Sequence, residues 1–153
     1  MDKVLPTLAS YKDCTGCLSC VDSCPTESLT KTINSEGHFF YQLNIEKCIG
    51  CNKCVKACPV LSHLPYKQSG YGTFYAGWAK NYNIRVNSAS GGVFAGLAEY
   101  ILNQQGVVFG VANIGKCDIK HVFIEKLEDL YQLQGSKYTS SDTNGCYKQV
   151  YNF

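Results

Sequence analysis

The strongest constraint on this chain is a four-cysteine run that occurs twice. "CTGCLSCVDSCP" covers Cys14 to Pro25, and "CIGCNKCVKACP" covers Cys48 to Pro59, thirty-four residues further on. Aligning "YKDCTGCLSCVDSCP" on "IEKCIGCNKCVKACP" matches every Cys, the Gly behind the first Cys, the Val and the Pro. A fixed-period repeat of this kind is one supersecondary unit used twice. Eight of the ten cysteines lie before Pro59, and only Cys117 and Cys146 follow it. The opening "MDKVLPTLASYKDC" has no apolar stretch long enough for a secretory signal, so the expected setting is cytoplasmic. Reducing cytosol does not keep disulfides, so the thiols need another use, and metal binding is the usual one.

Each run reads C-x2-C-x2-C-x3-C-P, the spacing of bacterial two-cluster ferredoxins, in which the fourth cysteine of each run ligates the other cluster. Applied here, Cys14, Cys17, Cys20 and Cys58 hold one [4Fe–4S] cluster, and Cys48, Cys51, Cys54 and Cys24 hold a second. Gly16 and Gly50 allow the backbone to approach closely, leaving N–H groups for cluster sulfurs. Zinc is the competing reading, since paired Cys-x-x-Cys motifs hold it tetrahedrally. A zinc module needs four ligands, however, and not a third regularly spaced Cys followed by Cys-Pro in both copies. Both ligand sets are complete, which describes a one-electron relay rather than a site with an open iron; a purely structural role for the clusters is the bland alternative. A unit of about 50 residues buries little apolar surface, so an inorganic centre is expected to hold it together.

Hydrophobic residues make up 45% and charged residues 17%, which suits a folded chain with a core. The formal net charge of +2 is too small to argue for nucleic acid. It falls to about −2 once eight thiolates around two cluster cores are counted. No window approaches the roughly 18 consecutive apolar residues of a membrane span.

The expected fold class is α+β, a dicluster ferredoxin-like domain over residues 1–65 followed by a partial α/β domain over residues 74–153. Residues 66–73 lie within "SHLPYKQSGYGT" and read as a linker, with the boundary near Gly70 to Gly72. In the first part a turn at Glu36-Gly37 and a strand from Phe39 to Leu43 are expected, with short helical turns after each Cys-Pro. In the second part "FYAGWAK" is strand-like. "SGGVFAGLAEYILNQQG" predicts a helix with Val93, Leu97, Tyr100 and Ile101 on one face and a stop at Gly106. "VVFGVANI" suggests a buried strand, "DIKHVFIE" a neighbouring half-exposed strand, and "EDLYQLQG" and "GCYKQVYNF" helices.

Two stretches of the second part suit an anionic ligand. Ser90, Gly91 and Gly92 open a helix, where N–H groups and the positive dipole end favour phosphate, although Gly92 and Gly96 also suit tight helix packing. In "GSKYTSSD", Lys137 and the hydroxyls suit a phosphate or ribose, against the reading of a solvated loop. Lys80 and Arg85 flank the first stretch and are further phosphate candidates. Cys117, Cys146, His38, His63 and His121 have no partner in the pattern and read as structural, as does Trp78.

Following a dicluster module, "RVNSASGGVFAGLAEYILNQQGVVFGVA" and then "HVFIEKLEDLYQLQGSKYTSSD" resemble the coenzyme F-420 hydrogenase/dehydrogenase beta-subunit family from about Cys14 to Phe153. The resemblance implies electron passage between a deazaflavin or similar two-electron donor, a bound FAD, and iron–sulfur clusters. It places Ser90, Gly91, Gly92, Ser136, Lys137 and Tyr138 along the flavin, and it implies a redox partner protein or enzyme subunit. Chains of this family run on past the point where this one ends, within "CYKQVYNF", so a truncated member with an incomplete flavin site is expected. The competing function is a ferredoxin-type carrier whose C-terminal half only docks a partner enzyme.

Overall fold

The computed structural model describes residues 4–62 and 72–153. Most of the expected linker, and His63, lie outside the described residues. The class is α+β, with short helices and two small antiparallel sheets. The chain divides into two compact units, one formed by Met1–Gln68 with Gly145–Phe153 and the other by Ser69–Asn144.

In the first unit the sequence repeat is a structural repeat. Helix α1 (Ser19–Asp22) and helix α2 (Lys53–Ala57) occupy equivalent places, each entered through a left-handed residue, Leu18 at φ 59° and Asn52 at φ 57°. Equivalent backbone bonds frame both runs: Cys14 N–H to Ser10 O at 2.9 Å and Cys48 N–H to Asn44 O at 3.2 Å. Cys24 N–H reaches Val21 O and Cys58 N–H reaches Val55 O, each at 3.2 Å. The helices thus lie before each Cys-Pro, not after it as expected. Pro25 and Pro59 fall in turns instead, because the two Cys-x-x-Cys steps already curl the chain ahead of them.

Strand β2 (Phe39–Leu43) forms where the sequence predicts it and pairs antiparallel with β1 (Leu29–Ile33), a strand the sequence does not announce. Asn34 closes this hairpin: its side-chain carbonyl accepts from the N–H groups of Glu36 (3.0 Å) and His38 (2.8 Å). The core is small and partly made of thiols, with Cys24, Leu29 and Cys54 buried and Leu8, Cys20, Val21, Tyr41, Leu43 and Val55 packed around them.

In the second unit helix α3 (Tyr82–Val86) precedes helix α4 (Val93–Asn103), and strands β3 (Val108–Asn113) and β4 (Ile119–Ile124) pair in register from Val108 opposite Ile124 to Asn113 opposite Ile119. Leu127–Gln132 is a 3-10 turn rather than an α-helix. Phe74–Lys80 is not a strand: Ala79 N–H bonds Gly91 O at 2.7 Å, and Trp78 is 66% exposed. Helix α4 also turns a different face inward from the one expected. Ala95, Ala98 and Leu102 are buried with Ala112, Ile124, Leu130 and Leu133, while Leu97 and Tyr100 are 63% and 64% exposed. Two apolar stripes compete on this helix, and the one with alanines wins because small side chains let the hairpin approach. The helix stops at Asn103, short of Gly106. A Cβ on Gly106 would lie 2.6 Å from Ile101 Cγ2, so this glycine is needed for close return of the chain.

Gly16 and Gly50 are equivalent in the repeat and in conformation, at φ +68° and +69°. A Cβ would meet the carbonyl oxygen of Phe39 at 2.7 Å in one case and that of Val4 at 2.6 Å in the other. Gly37, at φ +83°, has nothing within 4 Å. Gly37→Ala should therefore cost only the left-handed penalty of about 1–2 kcal/mol. Gly16→Ala and Gly50→Ala should each cost clearly more, read as a larger drop in the denaturant midpoint.

Candidate cluster and cofactor sites

The two cysteine runs exchange their last members in space. One cavity of the first unit is lined by Cys14, Cys17 and Cys20 together with Cys58, closed by Leu8, Ala9, Leu18 and Tyr41. A second cavity is lined by Cys48, Cys51 and Cys54 together with Cys24, closed by Pro6, Leu29, Leu43 and Ile49. The exchange follows from the packing of α1 on α2, which carries each Cys-Pro across to the opposite loop. Tyr41, absent from the sequence reading, holds the N-terminal segment over the first cavity by donating to Ala9 O at 2.9 Å.

All ten cysteines are free thiols. Among the described residues no three His, Cys, Asp or Glu side chains converge closely enough to hold a single metal ion. Each set of four thiols lines a cavity of its own, an arrangement that fits a multi-iron core. Their protonation chemistry agrees. Burial, with Cys17 and Cys14 close by, pushes the Cys20 thiol up to about 12. Burial also raises Cys54. Thiolates crowded into a dry cavity are unfavourable unless a cationic core neutralises them, and a coordinating thiol is deprotonated outright. Cys24 is the exception: burial works to raise it, but hydrogen bonds from Ser28 and Thr26 outweigh this and bring it down to about 7. Ser28 N–H donates to Cys24 Sγ at 3.3 Å, and the Ser28 hydroxyl lies 3.1 Å from the same sulfur. Gly50 N–H likewise donates to Cys48 Sγ at 3.4 Å, a ligand sulfur and not the cluster sulfur that the sequence assigns to it. Thr26 and Ser28 went unnoticed in the sequence, where a Thr and a Ser just beyond Cys-Pro were the available signal.

The second unit holds a cavity of about 520 Å³, within the range of about 300–1,000 Å³ usual for cofactor sites. Ser90, Gly91, Gly92, Ser136 and Lys137 all line it. Tyr138 does not: it lies outside the lining and is 96% exposed. Lys80, Arg85 and Trp78 are also outside it. The added wall residues include Gly110 of β3, where a Cβ would lie 3.0 Å from Leu133 Cδ1, and Ser141. A glycine inside an apolar strand was the legible signal for that close approach.

Gly91 and Gly92 are at the cavity for packing reasons as well. A Cβ on Gly91 would come within 3.0 Å of Gly77 O, and one on Gly92, at φ +77°, within 3.2 Å of Ala79 Cβ. Gly96 has nothing within 4 Å, so the tight-packing reading applies to Gly92 and not to Gly96. No side chain caps α4, so its first-turn N–H groups open at the cavity wall beside Val93 and Phe94. Lys137 Nζ donates to Gln134 O (2.7 Å) and Gln132 O (3.3 Å), and burial lowers its pKa. An uncapped helix start, serine hydroxyls and a lysine suit a phosphate-bearing ligand, so the residues present fit a flavin nucleotide.

Comparison with known protein families agrees with this division. Residues 13–62 match the family described as "4Fe-4S dicluster domain", and residues 74–147 match "Coenzyme F420 hydrogenase/dehydrogenase, beta subunit N-term". These matches define an iron–sulfur electron-transfer protein. The order of the two matched segments, dicluster domain then beta-subunit N-terminal domain, is the order that the sequence resemblance implies. No curated protein sequence matches it. Among the described residues no helix is long and apolar enough to cross a membrane.

The exchange of Cys24 and Cys58 is testable by non-additivity. Cys14→Ser and Cys58→Ser should each remove about half of the iron and sulfide taken up on anaerobic reconstitution, and the double variant should lose no more than either. Combining Cys58→Ser with Cys24→Ser should abolish uptake.

Proposed function

We propose that this protein relays single electrons through two [4Fe–4S] clusters, one on Cys14, Cys17, Cys20 and Cys58 and one on Cys24, Cys48, Cys51 and Cys54, and that its second unit binds a flavin that exchanges electrons with them. The observation that carries the relay is the pair of cavities, each lined by four thiols drawn from both repeats. When bound, the clusters would supply one-electron chemistry and the flavin would link it to a two-electron donor such as a deazaflavin. The protein supplies the surroundings. Leu8, Leu18 and Tyr41 keep water from one thiol set, Leu29 and Leu43 from the other, and Ser28 stabilises negative charge on Cys24. In the second unit Ser90, Gly91, Gly92, Ser136 and Lys137 would hold the flavin phosphates. A redox partner protein or enzyme subunit would receive or deliver the electrons.

A ferredoxin-type carrier whose second unit only docks a partner is the other reading, favoured by the exposed apolar side chains Val93, Leu97, Tyr100 and Ile101 along α4. Anaerobic reconstitution with iron, sulfide and FAD separates the two. About eight irons and eight sulfides per chain with one flavin supports the proposal; full clusters with no flavin supports docking; zinc without acid-labile sulfide overturns both.

Lys137 also gives the flavin site a pH signature. Burial lowers its pKa below the usual lysine value, so its positive charge is lost earlier than an ordinary lysine's as pH rises. Flavin affinity should therefore fall on the alkaline side sooner than an ordinary lysine would cause. Lys137→Arg should remove that dependence, and Lys137→Met should weaken binding at pH 7 by about tenfold or more, as expected for losing a charged hydrogen bond. Fluorescence titration of the reconstituted protein reads both effects.

A further inference from the structure

The two thiol sets are buried to different degrees. Cys24, Cys48 and Cys54 of the second set are buried and Cys51 is exposed, whereas Cys14, Cys17, Cys20 and Cys58 of the first set are all half-buried. A buried sulfur takes no hydrogen bonds from bulk water, so its donors have to come from the chain. Cys48 Sγ accepts from Gly50 N–H at 3.4 Å. Cys24 is better provided: Ser28 Oγ lies 3.1 Å from its sulfur, Ser28 N–H donates to it at 3.3 Å, and Thr26 Oγ1 lies at 3.7 Å. Ser28 is 2% exposed, and its own carbonyl accepts from Asn44 N–H at 2.7 Å, which fixes the backbone from which the hydroxyl reaches the sulfur. A sulfur bound to iron carries no proton, so within the Cys24–Ser28 pair the hydroxyl is the donor. The internal repeat supplies the comparison. Thirty-four residues on, Thr26 and Ser28 correspond to Val60 and Ser62. Val60 has no hydroxyl, and Ser62 gives its own to Cys58 O at 2.6 Å. A serine at one place in the repeat thus serves the sulfur in the first run and the backbone carbonyl in the second.

We infer that Ser28 sets the potential of the cluster on Cys24, Cys48, Cys51 and Cys54: its hydroxyl, bonded to the Cys24 sulfur, holds that potential above the value burial alone would give, with no equivalent at Cys58. The inference rests on the two-cluster reading above. Reduction adds one electron, taken from the external reductant, to a site that already carries four thiolates. Burial opposes the added charge, because surroundings of low polarity solvate it poorly. A donor on a ligand sulfur favours it, because a hydrogen bond strengthens as its acceptor becomes more negative. Thr26, at the longer distance, contributes less. Ser28 acts through Cys24 and is a positioning residue.

The test is a potentiometric titration of the reconstituted full chain, followed by electron paramagnetic resonance, with the waves assigned through Cys14→Ser and Cys48→Ser. Ser28→Ala removes the hydroxyl and keeps the backbone donor. It should lower the wave of the Cys24 set by about a tenfold change in its reduction equilibrium, or 59 mV for one electron, leaving the other wave in place. Ser28→Thr, which keeps a hydroxyl, should restore the original position, and Thr26→Val should lower the wave by less than Ser28→Ala does. Ser62→Ala should move neither wave. A wave unmoved in a fully loaded Ser28→Ala protein, equal movement of both waves, or a shift in Ser28→Thr as large as in Ser28→Ala would overturn the inference and leave the relay standing. Loss of iron and sulfide from both Ser28→Ala and Ser28→Thr would also overturn it, assigning Ser28 to folding alone. A chain that takes up no iron and sulfide would overturn the relay and the inference together.

Discussion

The first unit depends on one electrostatic constraint: eight thiols are gathered into two small cavities with little apolar mass around them. Its buried core holds Cys24, Leu29 and Cys54, so sulfur occupies places where a larger domain would put leucine or valine. The push on Cys20 to about 12 expresses the cost of charge in that setting. A cationic core is the arrangement that reconciles the two, because it turns crowded thiols from a liability into the ligands that close the fold.

Within that frame the protein treats individual sulfurs differently. Cys20 and Cys24 are four residues apart, yet one is pushed up by burial while hydrogen bonds from Ser28 and Thr26 pull the other down to about 7. Gly50 serves its loop twice, letting the chain pass the Val4 carbonyl and donating to Cys48 Sγ. Such contacts are the means by which a polypeptide tunes a cluster whose chemistry is otherwise its own.

The second unit is governed by close approach. Ala95 and Ala98 let α4 settle on the β3–β4 hairpin and the 3-10 turn, and Gly91, Gly92 and Gly110 bring backbone to within contact of neighbouring segments. The same small residues leave a cavity whose walls are an uncapped helix start and the Gly135–Lys137 loop. At Gly91 and Gly92 close packing and the cavity wall coincide, because the glycines that let neighbouring backbone approach also line the cavity.

Local chemistry was legible in the sequence wherever it is written in spacing or turn residues. The doubled cysteine run, the Phe39–Leu43 strand and the close approach at Gly16 and Gly50 are written in spacing and residue type, which travel with the chain, and the four-thiol sets are legible through the known spacing of two-cluster ferredoxins. What depended on competition between surfaces was not legible. The face α4 buries is not legible in the sequence because both of its stripes are apolar, and only the approach of the hairpin selects the alanines. "FYAGWAK" has strand-like composition but finds no strand to pair with, and Tyr138 points away from a loop whose neighbours line the cavity. The seating of helix α5 (Cys146–Val150) on Asp22, through Tyr147 N–H, joins residues 125 positions apart, and no local pattern announces such a contact. Sequence alone determined which atoms were available to bind iron; tertiary structure decided which of them are covered, because burial is a property of neighbours and not of the residue itself.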